Sequence, residues 1–130
     1  MIIRGITLDT GALVAIERRR QRGSHLLELA KQRLAVLSAP VPVVTEWWRG
    51  RTDARERILD VVNIEPLSLA VAKLAGEALA KVPKSSAVDA IVMAFAASRG
   101  DVVFTGDKDD LERLRAFFPT VRVFGCGGES

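Results

Sequence analysis

Five short apolar runs, each too brief for a helix and each set off by a stretch with helical spacing, limit what this chain can become. Ile2 to Leu8, Arg33 to Ser38, Val62 to Glu65, Val102 to Phe104 and Val121 to Phe124 read as buried strands. Between them, Gly11 to Ile16 carries an apolar face with Thr10 as its cap, and Gly23-Ser24 breaks that helix and starts another. Further helices are expected between Pro40 and Gly50, with Pro42 in the first turn, and over Asp53 to Val61, Ser68 to Lys81, Ser86 to Arg99 and Asp109 to Phe118. Strands alternating with helices specify an α/β domain with a central parallel sheet of about five strands and helices on both faces. At 130 residues the chain fits one such domain, spanning 1–124, with the Gly-rich end 125–130 expected to be a flexible tail.

Composition narrows the chemistry. Cys126 is the only cysteine and His25 the only histidine, which excludes an internal disulfide, a cysteine cluster and a histidine-rich zinc site. A His-based triad would need His25 as its base. No apolar run approaches the roughly 18 residues of a membrane span, and Met1-Ile2-Ile3-Arg4 lacks the form of a signal peptide, so a cytoplasmic location away from any membrane is expected. The net charge is +3, from 19 Lys and Arg against 16 Asp and Glu. If a few of those acids are gathered at a metal, the rest of the surface is more basic than this total, as suits a polyanion docked around an acidic hole.

The acids have telling places. The stretch Asp101 to Leu111 turns from a strand into three carboxylates, Asp107, Asp109 and Asp110, where a helix begins. Asp9 ends the first strand, Glu46 lies in the helix after the second, and Asp89 lies in the first turn of the helix that leads into the fourth. In a doubly wound sheet the first and fourth strands are often neighbours, and their carboxyl ends form a switch point where sites gather. Carboxylates without histidine or cysteine are the ligand set of a hard cation, Mg²⁺ or Mn²⁺. Each acid also has a plainer explanation. Asp9 and Asp107 can cap helices, Asp89 can form a capping box with Ser86, Asp109 and Asp110 suit a helix dipole, and Glu46 can be a solvated helix residue.

In order and spacing, Ile6-Thr7-Leu8-Asp9-Thr10, Val44-Thr45-Glu46, Val88 to Ala94 and Phe104-Thr105-Gly106-Asp107-Lys108-Asp109-Asp110-Leu111 resemble the four acidic motifs of PIN-domain nucleases. The compact length resembles the VapC toxins of bacterial toxin-antitoxin pairs. The resemblance implies a PIN-like three-layer α/β/α domain. It also implies Mg²⁺- or Mn²⁺-dependent endonucleolytic cleavage of RNA by a metal-activated water. Asp9, Glu46, Asp89 and Asp107 match the acidic quartet, with Asp9, Asp89 and Asp107 as direct or water-mediated ligands and Glu46 as a ligand or an orienter of water. Asp110 matches the auxiliary acid and Thr105 the hydroxyl residue beside the metal. A VapB-like antitoxin and a homodimer are implied as partners.

Other features stay open at this level. Arg18 to Arg22, Arg49, Arg51 and Lys84 are candidates for phosphate contacts. Trp47 and Trp48 lie about 100 degrees apart on their helix, so one is expected in the core and the other at an interface, with Arg55 to Leu59 a further contact surface. Two rivals lack a residue they need. A haloacid dehalogenase-type phosphatase wants an Asp two residues after the first, where Gly11 stands, and a receiver domain wants an Asp after the third strand, where Asn63-Ile64-Glu65-Pro66 offers none. A catalytically silent PIN-fold module that binds RNA or serves as a scaffold is the non-enzyme alternative.

Overall fold

A computed structural model describes residues 4–126. Five strands, β1 (Arg4–Leu8), β2 (Ala35–Pro40), β3 (Asn63–Glu65), β4 (Val102–Thr105) and β5 (Val123–Gly125), form one sheet in the order β3-β2-β1-β4-β5. Every pairing is parallel, with Thr7 opposite Ser38 on one side and Leu8 opposite Phe104 on the other. The helices are α1 (Thr10–Glu17), α2 (Gln21–Lys31), α3 (Val41–Trp47), α4 (Asp53–Val61), α5 (Leu69–Lys81), α6 (Ala87–Arg99) and α7 (Lys108–Leu114). The result is the expected three-layer α/β/α domain.

The chain winds outward from β1 through β2 to β3, then returns to lay β4 on the other side of β1. Right-handed crossovers therefore put α1, α2 and α4 on one face and α5, α6 and α7 on the other. In keeping with this, α1 packs on β1 and β4, α2 on β2, α6 on β1, β2 and β4, and α5 on α6. Leu8, Leu13, Leu37, Met93, Val103 and Leu111 are among the side chains fully closed off from water. The switch point falls between β1 and β4.

Several boundaries differ from the sequence expectation. β2 starts at Ala35 rather than Arg33, because Arg33 takes a left-handed φ of 60° to turn out of α2. β5 begins two residues late, at Val123. α7 stops at Leu114 instead of Phe118, and the chain continues in tight turns, with Phe117 N–H donating to Leu114 O at 3.0 Å. Gly23 does not break a helix. It sits inside α2, where a Cβ would stand 2.7 Å from the Ala15 backbone, so this glycine lets α2 cross α1 closely. The turn between these helices is made instead by Arg18 to Arg20, with Arg19 at φ 56°. Thr10 is the first residue of α1, and Asp9 is its cap.

The expected loose tail also changes. Gly125 closes β5, and Cys126 is buried with its N–H donating to Thr105 O at 2.8 Å. The remainder of that expectation, residues 127–130, lies outside the described residues. Asp101, at the head of β4, is part of the framework. Its carboxylate accepts from Thr7 Oγ1 at 2.9 Å and Arg99 Nε at 3.1 Å, while Arg99 also reaches Ser38 Oγ at 3.2 Å. This network satisfies the buried hydroxyls of Thr7 and Ser38. Among the described residues, no helix is long and apolar enough to cross a membrane.

Candidate acidic site at the switch point

Three helix starts and one helix end meet at the carboxyl edge of β1 and β4, and each delivers an acid. Asp9 leaves β1 and caps α1, its Oδ1 accepting from Ala12 N–H at 2.9 Å. Asp107 follows β4 and caps α7, accepting from Asp110 N–H at 3.3 Å. Asp89 is the third residue of α6, whose cap Ser86 accepts from Asp89 N–H at 3.1 Å. Glu46 lies in the last turn of α3. The plain explanation and the functional one thus hold together for Asp9, Asp89 and Asp107: capping fixes where the carboxyl groups stand.

Asp9 is the most constrained of them. It is 6% exposed, its Oδ2 accepts from Thr105 Oγ1, and its Oδ1 also accepts from Gly106 N–H at 3.2 Å. Thr105, itself fully buried, accepts in turn from Asp107 N–H at 2.9 Å. A chain of hydrogen bonds therefore joins Asp9 to the start of α7 through Thr105. Three donors occupy most of the carboxylate's capacity of about four lone-pair sites, leaving room for one more partner.

Electrostatics show the crowding. Burial raises the Asp9 carboxyl above its ordinary range; its hydrogen bonds oppose the rise and the nearby Asp107 carboxylate adds to it. Asp89 is pushed up to about 6, first by burial and further by Asp9, Asp110 and Glu46, against the lowering effect of Ser86. The acids named in the sequence thus act on one another, and no lysine, arginine or histidine offsets the rise at either Asp9 or Asp89. Asp110 is different. Arg113 pairs with it at 2.7 Å and, together with a hydrogen bond to Asp107, holds its carboxyl below the ordinary range. Asp109 stands exposed in the first turn of α7.

Among the described residues no three carboxyl, imidazole or thiol groups converge closely enough to bind one ion together. That does not disqualify a hard cation of the Mg²⁺ kind, which keeps several waters and takes one or two direct carboxylates. The donor set fits such an ion: all oxygen, with Asp9 holding a spare lone pair and Asp89 raised first by burial and further by its like-charged neighbours.

Sequence reasoning named Thr105 and Ser86 but missed other groups that hold these acids. Thr10, read as a cap, donates its hydroxyl to Glu46 Oε1 at 2.6 Å. Gly11 and Gly106 touch backbone to backbone: a Cβ on Gly11 would lie 2.5 Å from Gly106 Cα, and one on Gly106 would lie 2.6 Å from Gly11 Cα. Only a pair of glycines lets the start of α1 sit on the exit of β4 and bring Asp9 to Thr105. A hydroxyl residue and a glycine directly after a strand-ending Asp were the available signals.

Away from the acids, α1, α2 and α4 enclose a groove of about 520 Å³. Its floor is Ile16, Leu27 and Ile58, and its rim mixes the charges of Glu17, Glu28, Asp60, Arg19, Lys31 and Arg57. Trp47 is 3% exposed, while Trp48 is half-buried and meets it edge to face at 5.9 Å, so both pack against the core.

Comparison with known proteins gives the following. The sequence profile of the PIN domain matches residues 6–116. No curated protein sequence matches the chain. Among solved structures, a chain of DNA-bound VapBC2 from Rickettsia felis superposes with a TM-score of 0.73 at 16% identity, over 93% of this chain and 98% of that one. DNA-bound VapBC from Salmonella typhimurium gives 0.69 at 19% identity, over 94% and 98%. The sarcin-ricin loop cleaving toxin VapC20 from Mycobacterium tuberculosis gives 0.62 at 23% identity, over 81% and 92%. At these identities the likeness is one of fold.

Proposed function

Because the chain belongs to the PIN-domain family, we propose that it is a divalent-metal-dependent endoribonuclease toxin, silenced by a cognate VapB-like antitoxin. The observation that carries this reading is the gathering of Asp9, Glu46, Asp89, Asp107 and Asp110 at the β1/β4 switch point, where Asp89 is raised to about 6, first by burial and further by Asp9, Asp110 and Glu46, and Asp107 adds to the rise at Asp9. Such crowding is costly without a cation and is relieved by one. The VapBC complexes and the sarcin-ricin loop cleaving toxin VapC20 that share the fold support the choice of substrate and partner. The reading includes a cytoplasmic homodimer, with the domain extended past the expected boundary at 124 to take in Gly125 and Cys126.

Asp9, Asp89 and Asp107 are the residues that would hold Mg²⁺ or Mn²⁺. When bound, such an ion lowers the pKa of a water and neutralises charge on the phosphate. The chain's own groups do the rest. Thr105 and the Gly106 N–H fix the Asp9 carboxylate. Glu46, held by Thr10, orients the attacking water and takes its proton as the oxygen adds to phosphorus and the bond to the leaving oxygen breaks. Asp110 supports the site by holding Arg113 at its rim, where that cation can meet phosphate.

The test is cleavage of RNA by the purified protein with and without Mg²⁺ or Mn²⁺, beside a protein carrying Asp9→Asn and Asp107→Asn. Metal-dependent cleavage lost in the variant is expected. Full activity in the variant refutes the site, and RNA binding without cleavage by the wild-type protein favours a silent binding or scaffold module.

A further inference from the structure

α3 has only seven residues, and it carries Glu46 in its last turn before the chain turns extended at Trp48. A helix this short does not hold its own end in place. Besides packing on β2 and α6, with Val43 and Trp47 buried, it is tied to α1 by side-chain hydrogen bonds at two points. Near one end of α1, Thr10 Oγ1 donates to Glu46 Oε1 at 2.6 Å. At the other end, Glu17 Oε1 accepts from Trp47 Nε1 at 2.8 Å. Thr10 and Glu17 are seven residues apart, two turns, so they lie on nearly the same face of α1 about 10 Å apart along its axis. Their anchor points on α3 are consecutive residues.

The Thr10 contact is exposed to water and competes with it. The Glu17 contact is built more firmly. Trp47 is buried, and the second Glu17 oxygen pairs with Arg55 of α4 at 3.0 Å, the Arg55 side chain being 17% and the Glu17 side chain 23% exposed. Arg55 is fixed in turn by donating to Gly50 O at 2.9 Å, in the loop that follows α3. A carboxylate acceptor makes the indole N–H bond stronger than a neutral acceptor would.

We propose that Glu17 is a positioning residue for the acidic site: through Trp47 it fixes the end of α3 so that Glu46 stays against Thr10 and faces Asp89. Glu17 lies in the wall of the groove, two turns of helix from Asp9, and touches none of the acids itself. The kinetic part of this inference rests on the reading of Glu46 as the group that orients water, while the geometric part does not.

Three variants test it. Trp47→Phe removes the donor together with part of the buried ring system and keeps the Glu17–Arg55 pair, while Glu17→Ala leaves the indole in place and so separates the lost bond from lost packing. Glu17→Ala removes the acceptor, and Glu17→Gln restores an acceptor without the charge. Crystal structures and RNA-cleavage kinetics are measured for each. In Trp47→Phe and Glu17→Ala, the Thr10–Glu46 hydrogen bond is expected to be lost and kcat to fall about tenfold to a hundredfold, with KM for RNA unchanged. In Glu17→Gln, the bond and most of kcat are expected to return. The double variant Glu17→Ala, Trp47→Phe is expected to be no slower than either single one. The bond at its present length in all three proteins overturns the proposal, as does a lost bond with wild-type kcat. A wild-type protein that cuts no RNA refutes the nuclease reading instead, and the crystal structures then decide the positioning alone.

Discussion

Replacing Gly106 by alanine puts one methyl group where two backbones already touch. The added Cβ would stand 2.6 Å from Gly11 Cα and 3.1 Å from Gly11 C, so the strands of chain must part by about 0.8 Å to reach ordinary contact. Neither Gly11 nor Gly106 has a positive φ, so the strain comes from this clash and not from backbone conformation. Overpacking of this kind costs about 1–3 kcal/mol. For a domain of this length that corresponds to a Tm lower by about 4–11 °C. The same displacement stretches the 3.2 Å bond from Gly106 N–H to Asp9 beyond hydrogen-bond length and shifts Thr105 relative to Asp9. A misplacement near 1 Å in a catalytic group lowers the rate by about a hundredfold. Calorimetry and RNA-cleavage assays on Gly106→Ala, Gly11→Ala and the double variant measure both effects. Because the two methyl groups open the same gap, the double variant should lose less stability than the two single losses together. Wild-type Tm and cleavage in both single variants, or strict additivity in the double, refute this account of the contact.

The raised Asp89 pKa has a definite sign for stability. Its folded value near 6 exceeds the ordinary 3.8, so the folded metal-free protein binds the extra proton and loses stability as pH rises through that interval. Asp9 acts in the same direction, and Asp110, lowered by Arg113, acts in the opposite one, losing its contribution as pH falls. Melting curves between pH 4 and pH 7 should therefore fall less with pH in Asp89→Asn than in the wild type, and identical slopes would count against the crowding. Mn²⁺ should raise Tm at pH 7 by about 10 °C when present at a hundred times its Kd, and much less at pH 5, where the carboxyl groups take up protons. An equal rise at both pH values, or one that survives Asp9→Asn with Asp107→Asn, would show that the ion binds elsewhere.

The layered architecture and the places of Asp9, Asp89 and Asp107 were legible because both follow from local pattern. A strand's end and a helix's first turn are visible in a few consecutive residues, and the neighbouring of β1 and β4 follows from general rules of winding. What escaped depended on residues distant in the chain. Gly23 looked like a breaker because nothing in its own neighbourhood names Ala15 as the backbone it must admit. Thr10 looked like a cap because its true partner is 36 positions away. The pairing of Asp110 with Arg113 was within local reach, three residues on one helix, but the sequence does not say whether that acid faces its neighbour or the other acids. Trp47 and Glu17, 30 positions apart, gave no sign of each other.

The pairing of β1 with β4 also sets a timetable for synthesis. Asp9 leaves the ribosome early, but the hydroxyl that fixes it belongs to a residue 96 positions later. A contact so far apart in the chain forms only after the cost of closing the intervening loop has been met. At about 5–20 residues per second, that separation is roughly 5 to 20 seconds of translation. β1, β2 and β3 are complete well before then and can pair, yet they hold only two of the four acids, Asp9 and Glu46. On the proposed function, a growing chain is harmless to the message that encodes it until nearly all of the domain has been made.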